Sequence, residues 1–127
     1  YLQKVPSSSK GLLLLGKVYQ ESGKTELSEK AYKKIQGGGI NSAKAYNNLG
    51  ILFIEQKKYE KAWSAFNASI NFYPKISDAH YNLGKLILDS KGDTNLARRH
   101  LEFALAYNRS PYLKQEIDRL IEEMLSP

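Results

Sequence analysis

The stretch that decides the fold runs from residue 46 to residue 74 and reads YNNLGILFIEQKKYEKAWSAFNASINFYP. Large and small residues recur in it at helical intervals, and the intervals are set by Tyr46, Leu49, Gly50, Phe53, Ala62, Phe66 and Pro74. Apolar positions three and four residues apart predict two amphipathic helices. Pro74 predicts the end of the second helix, because proline cannot continue one.

The spacing recurs along the chain at a constant interval. Leu49-Gly50 appears one interval earlier as Leu15-Gly16 and one interval later as Leu83-Gly84. A fixed period in this range indicates a structural repeat. The chain is therefore predicted to contain three units, at residues 9–42, 43–76 and 77–110, with an N-terminal tail at 1–8 and a further helix within 111–127.

This pattern resembles the tetratricopeptide repeat, a helix–turn–helix unit of about 34 residues with the signature W-x2-L-G-x2-Y…A-x3-F…P. The chain departs from the signature at Tyr46, which replaces Trp, and at Phe53, which replaces Tyr. The resemblance implies an all-α, tetratricopeptide-like α-solenoid of three helix-turn-helix repeats plus a C-terminal capping helix. Each unit then has a first helix, A, and a second helix, B.

The B helix of the first unit can be aligned in two ways. Without gaps, Ser28 and Tyr32 fall at the positions of Ala62 and Phe66. Alternatively, residues 29–32 align with residues 60–63, which requires a turn three residues longer. We favour the second alignment, because its Glu-Lys-Ala-aromatic match is closer, and we expect the helix to end before the glycines at 37–39. The third unit is expected to carry one extra residue near Gly92.

Seven helices are predicted, at about residues 10–21, 26–36, 43–56, 59–72, 78–90, 94–107 and 111–125. Side chains that can accept a hydrogen bond from the first turn are the expected N-caps. These are one of the serines at 7–9, Asn41 or Ser42, Ser77, Asp93 and Ser110.

The composition is that of one folded domain, since 42% of the 127 residues are hydrophobic and 25% are charged. The chain has no cysteine, which excludes disulfides and a cysteine nucleophile. The leucine run at 12–15 is too short to span a membrane. Because residue 1 is Tyr, we expect an excised fragment. The compartment stays open, with the cytoplasm favoured.

The net charge of +6 would suit an anionic partner. However, the lysines and arginines are interleaved with Glu and Asp, which favours a solvated surface over a nucleic-acid patch.

The resemblance also implies a binding surface, the concave groove lined by the A helices. Its positions in this sequence include Lys17, Lys44, Asn47, Asn48, Ile51, Asp78, Tyr81, Asn82 and Lys85. Asn48 and Asn82 occupy the same site one repeat apart. The resemblance implies that they hydrogen-bond the backbone of a bound peptide, for which an amide is suited. The alternative is that both bond locally.

One subfamily clamps the C-terminal carboxylate of heat-shock chaperones with Lys, Asn and Arg. At the equivalent sites only Asn48 fits, and Asp78 would repel a carboxylate. We therefore expect no such clamp and a more apolar peptide or helix instead.

No catalytic or metal-binding constellation is readable from the sequence. His80 stands where the family places Trp, which predicts a packed residue, and His100 is expected on the surface. The glycines at 37–39 are not followed by Lys-Ser/Thr, so they form no phosphate loop. No enzyme activity, no cofactor and no small-molecule substrate are therefore predicted.

The sequence thus predicts a protein–protein interaction module, an adaptor or scaffold that binds a peptide or helix of a partner protein. Two alternatives remain. One is nucleic-acid binding through basic helix faces, and the other is self-association through the N-terminal face of the first unit.

Overall fold

The computed structural model describes residues 8–108 and 110–126; residues 1–7 of the predicted tail at 1–8 lie outside them. These residues form seven helices and no strand, so the all-α prediction is confirmed. The helices are α1 (Ser9–Glu21), α2 (Thr25–Lys33), α3 (Gly39–Glu55), α4 (Tyr59–Phe72), α5 (Ser77–Asp89), α6 (Thr94–Tyr107) and α7 (Pro111–Leu125). The chain divides into two compact units, the first ending at Tyr73 and the second beginning at Pro74.

The first unit contains two helical hairpins, α1–α2 and α3–α4, and α3 also packs against both helices of the first hairpin. In the second unit, α5 pairs with α6, and α7 packs on α6. The pairing follows from amphipathicity, because each helix buries one apolar stripe on its partner. Ala62, Phe66, Leu83 and Leu101 are almost fully buried in this way.

A glycine on each A helix admits a large side chain of the B helix. A Cβ added at Gly16 would lie 2.4 Å from the Tyr32 ring, and one at Gly50 would lie 2.4 Å from the Phe66 ring. At Gly84 the nearest atoms, from Ala97 and Leu101, would be 3.0 Å away. The close approach explains why glycine stands inside three helices despite its cost of about 1 kcal/mol there.

These contacts correct the alignment that we favoured for the first unit. Tyr32 occupies the place of Phe66, because the interval from Gly16 to Tyr32 equals the interval from Gly50 to Phe66. The turn before α2 is therefore no longer than the turn before α4, and Ser28 is equivalent to Ala62. The match to the Glu-Lys-Ala-aromatic pattern was misleading. The register is set by the large side chain that packs against the A-helix glycine, and in the first unit that side chain is Tyr32. The prediction that the helix ends early was right, since α2 stops at Lys33.

The three A–B turns share one backbone conformation. Gly23, Lys57 and Lys91 have φ of 75°, 60° and 56°. They are spaced one repeat apart, so the left-handed position recurs even where the residue is not glycine. The turn before α6 is one residue longer than the other two, as predicted near Gly92.

Some of the predicted N-caps are confirmed and others are wrong. Ser8 accepts from the Gly11 N–H and Asp93 accepts from the Asn95 and Leu96 N–H groups, so both caps are confirmed. Asn41 and Ser42 are not caps, because α3 begins four residues before the predicted start, after Gly38 at φ 70°. Ser110 occupies the N-cap position of α7 without a side-chain cap bond.

Ser77 is a helical residue instead of a cap, since the N-cap of α5 is Ile76. Its hydroxyl donates to the Ala104 carbonyl at 2.9 Å and so ties α5 to α6. The hydroxyl of Ser69 donates to the Ala43 carbonyl at 2.6 Å and ties α4 to α3. The Ser77 side chain, which local sequence assigns to capping, thus forms a hydrogen bond across the hairpin instead.

Candidate functional site

The A-helix face of the first unit is formed by α1 and α3. The Gln20 side chain links these helices, because its amide donates to Glu55 Oε1 at 2.9 Å. Its carbonyl oxygen accepts from the Tyr32 hydroxyl at 3.2 Å. One residue therefore joins three helices, and this network orders the surface without a bound partner.

The predicted binding residues of this unit differ in how far they can reach a partner. Lys17 and Lys44 are exposed, and Asn48 and Ile51 are half-buried. Asn47 is only 5% exposed, so its side chain is mainly part of the interior. The face available to a partner is thus basic at its edges and partly apolar between them.

Asn48 has a local partner in this unit. Burial raises the pKa of the Tyr32 hydroxyl, and hydrogen bonds with Ser28 and Asn48 oppose that rise. Asn48 therefore lies within hydrogen-bonding reach of Tyr32. An amide offers two donors and an acceptor, so this contact leaves capacity for a second one.

In the second unit, Asp78 and Lys85 are exposed on α5, and Tyr81 and Asn82 are half-buried. Tyr81 packs against a cluster that α6 and α7 form with Leu101, Ala104, Ile117 and Leu120. Helix α7 therefore covers part of the α5 face that the sequence assigned to a partner. The pKa of Tyr81 is raised, first by this burial and then by the negative charge of Glu116.

The net positive charge belongs to the first unit. Residues 1–73 hold eleven of the 19 Lys and Arg residues but only five of the 13 Asp and Glu residues. Residues 74–127 hold eight of each kind. The first unit therefore favours an acidic partner, whereas the second carries no net preference.

The two histidines form a pair that sequence reasoning missed. His80 is packed as predicted, with 5% of its surface exposed. His100 is half-buried instead of lying on the surface, and its Nδ1 is 3.0 Å from His80 Nδ1. His80 Nε2 lies 2.7 Å from the Pro74 carbonyl, which only accepts, so Nε2 carries a proton. Neutral His80 then accepts at Nδ1 from His100.

Burial lowers the pKa of both imidazoles. The neighbouring charges of His80 and Arg99 lower that of His100 further. Position 100 lies one turn after residue 97 on the α6 face that meets α5, and this is the signal that could have revealed the pair. Within residues 8–108 and 110–126, no three His, Cys, Asp or Glu residues cluster to hold a metal ion.

Comparison with known proteins agrees with this architecture. The tetratricopeptide repeat family model matches residues 9–36 and 43–76, which span the first and second hairpins. The chain belongs to the tetratricopeptide repeat family.

Two curated proteins are similar in sequence. The type IV pilus assembly protein PilF of Pseudomonas aeruginosa is 30% identical over 107 residues, which are 83% of this chain and 42% of that protein. A BBSome complex member BBS4 homolog of Drosophila melanogaster is 29% identical over 66% of this chain and 17% of its own length. The chain thus spans less than half of either relative.

Solved structures share the predicted solenoid fold. The structure of PilF matches with a TM-score of 0.70 at 27% identity, over 94% of this chain and 55% of that one. The first tetratricopeptide domain of Spaghetti (RPAP3), bound to an HSP90 peptide, matches with a TM-score of 0.73 over 96% of this chain and 98% of that one. At 18% identity, that match shows the fold alone. Among the described helices, none is both long and apolar enough to cross a membrane.

Proposed function

We propose that this chain is a protein-interaction module and that the A-helix faces of its units bind a segment of a partner protein. The observation that carries the proposal is the ordered α1–α3 face. Gln20 and Glu55 fix its two helices, while Lys17, Lys44 and Ile51 remain accessible along it. A surface that is ordered before binding loses less conformational entropy when the partner arrives.

The family resemblance and the residues support different parts of this proposal. Tetratricopeptide domains of similar fold are known with chaperone peptides bound, as in the yeast Sti1 complex and in Spaghetti. In this chain only Asn48 matches the carboxylate clamp, so we propose a different peptide, with an apolar residue that packs on Ile51. In the second unit, Asp78, Asn82 and Lys85 provide the polar contacts, because α7 covers Tyr81.

A photo-crosslinking experiment tests the assignment of the face. A benzophenone amino acid is placed at Lys44, on the proposed face, and separately at Asn71, an exposed residue of α4 away from that face. We expect crosslinks to a protein partner from position 44 and none from position 71, and we expect Asn48→Ala to weaken them. Equal crosslinking from both positions would contradict the proposal.

The alternative function is nucleic-acid binding, which is favoured by the concentration of positive charge in the first unit. The salt dependence of binding distinguishes it from peptide binding. Binding through phosphate contacts weakens steeply as salt rises, whereas a partly apolar peptide face is less sensitive. Retention of nucleic acid at low salt only, unchanged by Asn48→Ala, would support that second function.

Self-association is favoured by one observation on α1. Val18 is 49% exposed, although Leu52, its equivalent one repeat later, is 1% exposed beneath the first hairpin. Leu14, one turn away, is 66% exposed. Sedimentation at two concentrations, with Val18→Glu as the comparison, tests whether a second copy covers this stripe. A concentration-independent monomer would exclude it.

A further inference from the structure

A cavity of about 540 Å³ lies beside the end of α2 in the first unit. Helix α2 has nine residues, whereas α4 and α6 each have 14. The cavity is lined by Lys33, the last residue of α2, and by side chains of α3 and α4. The early end of α2 thus leaves this space next to the second hairpin.

The floor of the cavity is apolar and held in place. It includes Leu49, Phe53 and Ala65, all buried, together with Ala68. The ring of Tyr46 forms one wall and stacks on Phe72, with 5.4 Å between the ring centroids. A pocket of this size and lining has the dimensions of sites that accept a small ligand or a single anchoring side chain, roughly 300–1,000 Å³.

The rim carries two lysines and one carboxylate. Lys33, Lys61 and Glu60 lie there, and the Lys33 ammonium is paired with Glu29 of α2 at 2.6 Å. The Lys61 ammonium is 5.8 Å from the centroid of the Phe53 ring, so it stands at the mouth above the apolar floor. Ser64 adds a hydroxyl at the same edge. The surrounding unit has eleven basic residues against five acidic ones, which reinforces attraction for carboxylates.

The cavity is separate from the A-helix face. Its α3 residues, Tyr46, Leu49 and Phe53, recur at spacings of three and four along one stripe of the helix. Lys44, Asn48 and Ile51, the α3 residues of the proposed A-helix face that reach the surface, lie on another stripe, and none of them lines the cavity. A ligand in the cavity would therefore leave the first site free.

We propose that this cavity is a second docking site and that its occupant is a partner peptide with one aromatic side chain flanked by carboxylates. The aromatic ring fills the space between Tyr46, Phe53 and Ala68, where it removes apolar surface from water. One carboxylate pairs with Lys61, and the other shares Lys33 with Glu29, to which it is already paired. The chain thereby contacts a partner on two different faces of one repeat pair.

The probe is the blocked tripeptide Glu-Phe-Glu, titrated into the intact chain while backbone amide signals are followed by NMR. We expect saturable shifts at Leu49, Ser64 and Ala65. Blocked Glu-Ala-Glu lacks the anchor and Lys-Phe-Lys reverses the charge, so both should bind at least about fivefold more weakly. Absence of saturation, or equal affinity for either control peptide, would overturn the proposal.

Matched variants locate the site. Ser64→Phe should fill the cavity and abolish the shifts, whereas Asn71→Phe, an exposed position on α4 outside the cavity, should not. Lys61→Glu should weaken binding about fivefold, and Lys44→Glu, the same change on the A-helix face, should leave it unaltered. Circular dichroism checks that each variant is folded.

The reverse result, in which Lys44→Glu alone weakens the probe, would show that the tripeptide binds the A-helix face. That outcome would overturn the second site while supporting the proposed function. Conversely, loss of partner crosslinks from position 44 together with retained tripeptide binding would contradict the proposed function and leave the cavity assignment intact.

Discussion

The α3–α4 and α5–α6 hairpins have the same arrangement of helices, but the side-chain hydrogen bond that links the two helices differs between them. In α3–α4, Ser69 of the B helix donates to the Ala43 carbonyl of the A helix. In α5–α6 the equivalent positions hold Ala104 and Ser77, and the hydroxyl now donates from the A helix to the B helix. These two hairpins therefore share one hydroxyl bridge at this level, supplied by the B helix in one and by the A helix in the other.

The ring contacts between the A and B helices differ more between the two hairpins. Tyr46 stacks on Phe72 in the second hairpin. At the position equivalent to Tyr46, the third hairpin has His80, which contacts His100, Phe103 and Tyr107. One hairpin thus has a pair of carbocyclic rings at this place, and the other has an imidazole in contact with a second imidazole and two aromatic rings.

The largest difference is expected at the A-helix glycines. Gly50→Ala places a methyl group against the rigid Phe66 ring, where it has no room, so we expect a loss of about 2 kcal/mol in the free energy of unfolding after the gain in helix propensity. Gly84→Ala meets the Ala97 carbonyl oxygen and the Leu101 side chain at 3.0 Å, which is less crowded than the 2.4 Å at Gly50, and should cost about 1 kcal/mol. Urea unfolding measures both, and equal losses would show that this difference in distance is unimportant.

The next effect concerns the hydroxyl bridges. Ser69 is fully buried and Ser77 is half-buried, so Ser69→Ala should cost about 1.5 kcal/mol and Ser77→Ala about 0.5 kcal/mol. Hydrogen exchange of α3–α4 and α5–α6 amides assigns each loss to its own hairpin. A larger loss for Ser77→Ala would mean that burial does not decide the strength of the bridge.

The histidine pair should make the third hairpin sensitive to acid. Because burial holds both pKa values below the usual 6.5, the unfolded chain takes up protons first as the pH falls. The stability from the neutral pair is present above about pH 6.5 and is lost as the pH falls from there towards the folded pKa values. Protection of α5–α6 amides from exchange should therefore fall as the pH drops below about 6.5.

His80→Tyr introduces the residue of the second hairpin and should remove most of this dependence. The protection of α3–α4 amides provides the internal control. The lowered pKa of Glu116, caused first by its hydrogen bond with Arg119, acts in a more acidic range and does not interfere. An unchanged profile for His80→Tyr would contradict the assignment.

The smallest effects are expected in the turns. Lys57 and Lys91 adopt a left-handed conformation that glycine adopts more easily, as Gly23 does in the first turn. Lys57→Gly and Lys91→Gly should each stabilise the chain by about 0.5 kcal/mol, since relief of strain exceeds the added entropy of the unfolded chain. Thermal unfolding measures the change, and destabilisation would show that the lysine side chains contribute more than the strain.

Local sequence predicted the helices where the signals were strong. The bounds of α4, α6 and α7 were right, because Pro74, Asp93 and Pro111 mark their ends by local sterics and capping. The start of α3 was placed too late, because Gly38 and Gly39 initiate it through positive φ values and not through a side-chain cap. The sequence also placed Tyr81 on the partner face, but could not show that α7 packs on it.

The sequence alone established the repeat, since Leu-Gly recurs at a constant period, and the resemblance to the tetratricopeptide repeat implied a helical hairpin for each unit. Tertiary structure decided the rest. Only packing against Gly16 shows that Tyr32 is the equivalent of Phe66, and only the end of α2 beside α3 and α4 shows the cavity at Lys61. The reason is physical. Periodicity indicates which side of a helix is buried, whereas the packing of a particular side chain, or the presence of a cavity, depends on residues far apart in the chain.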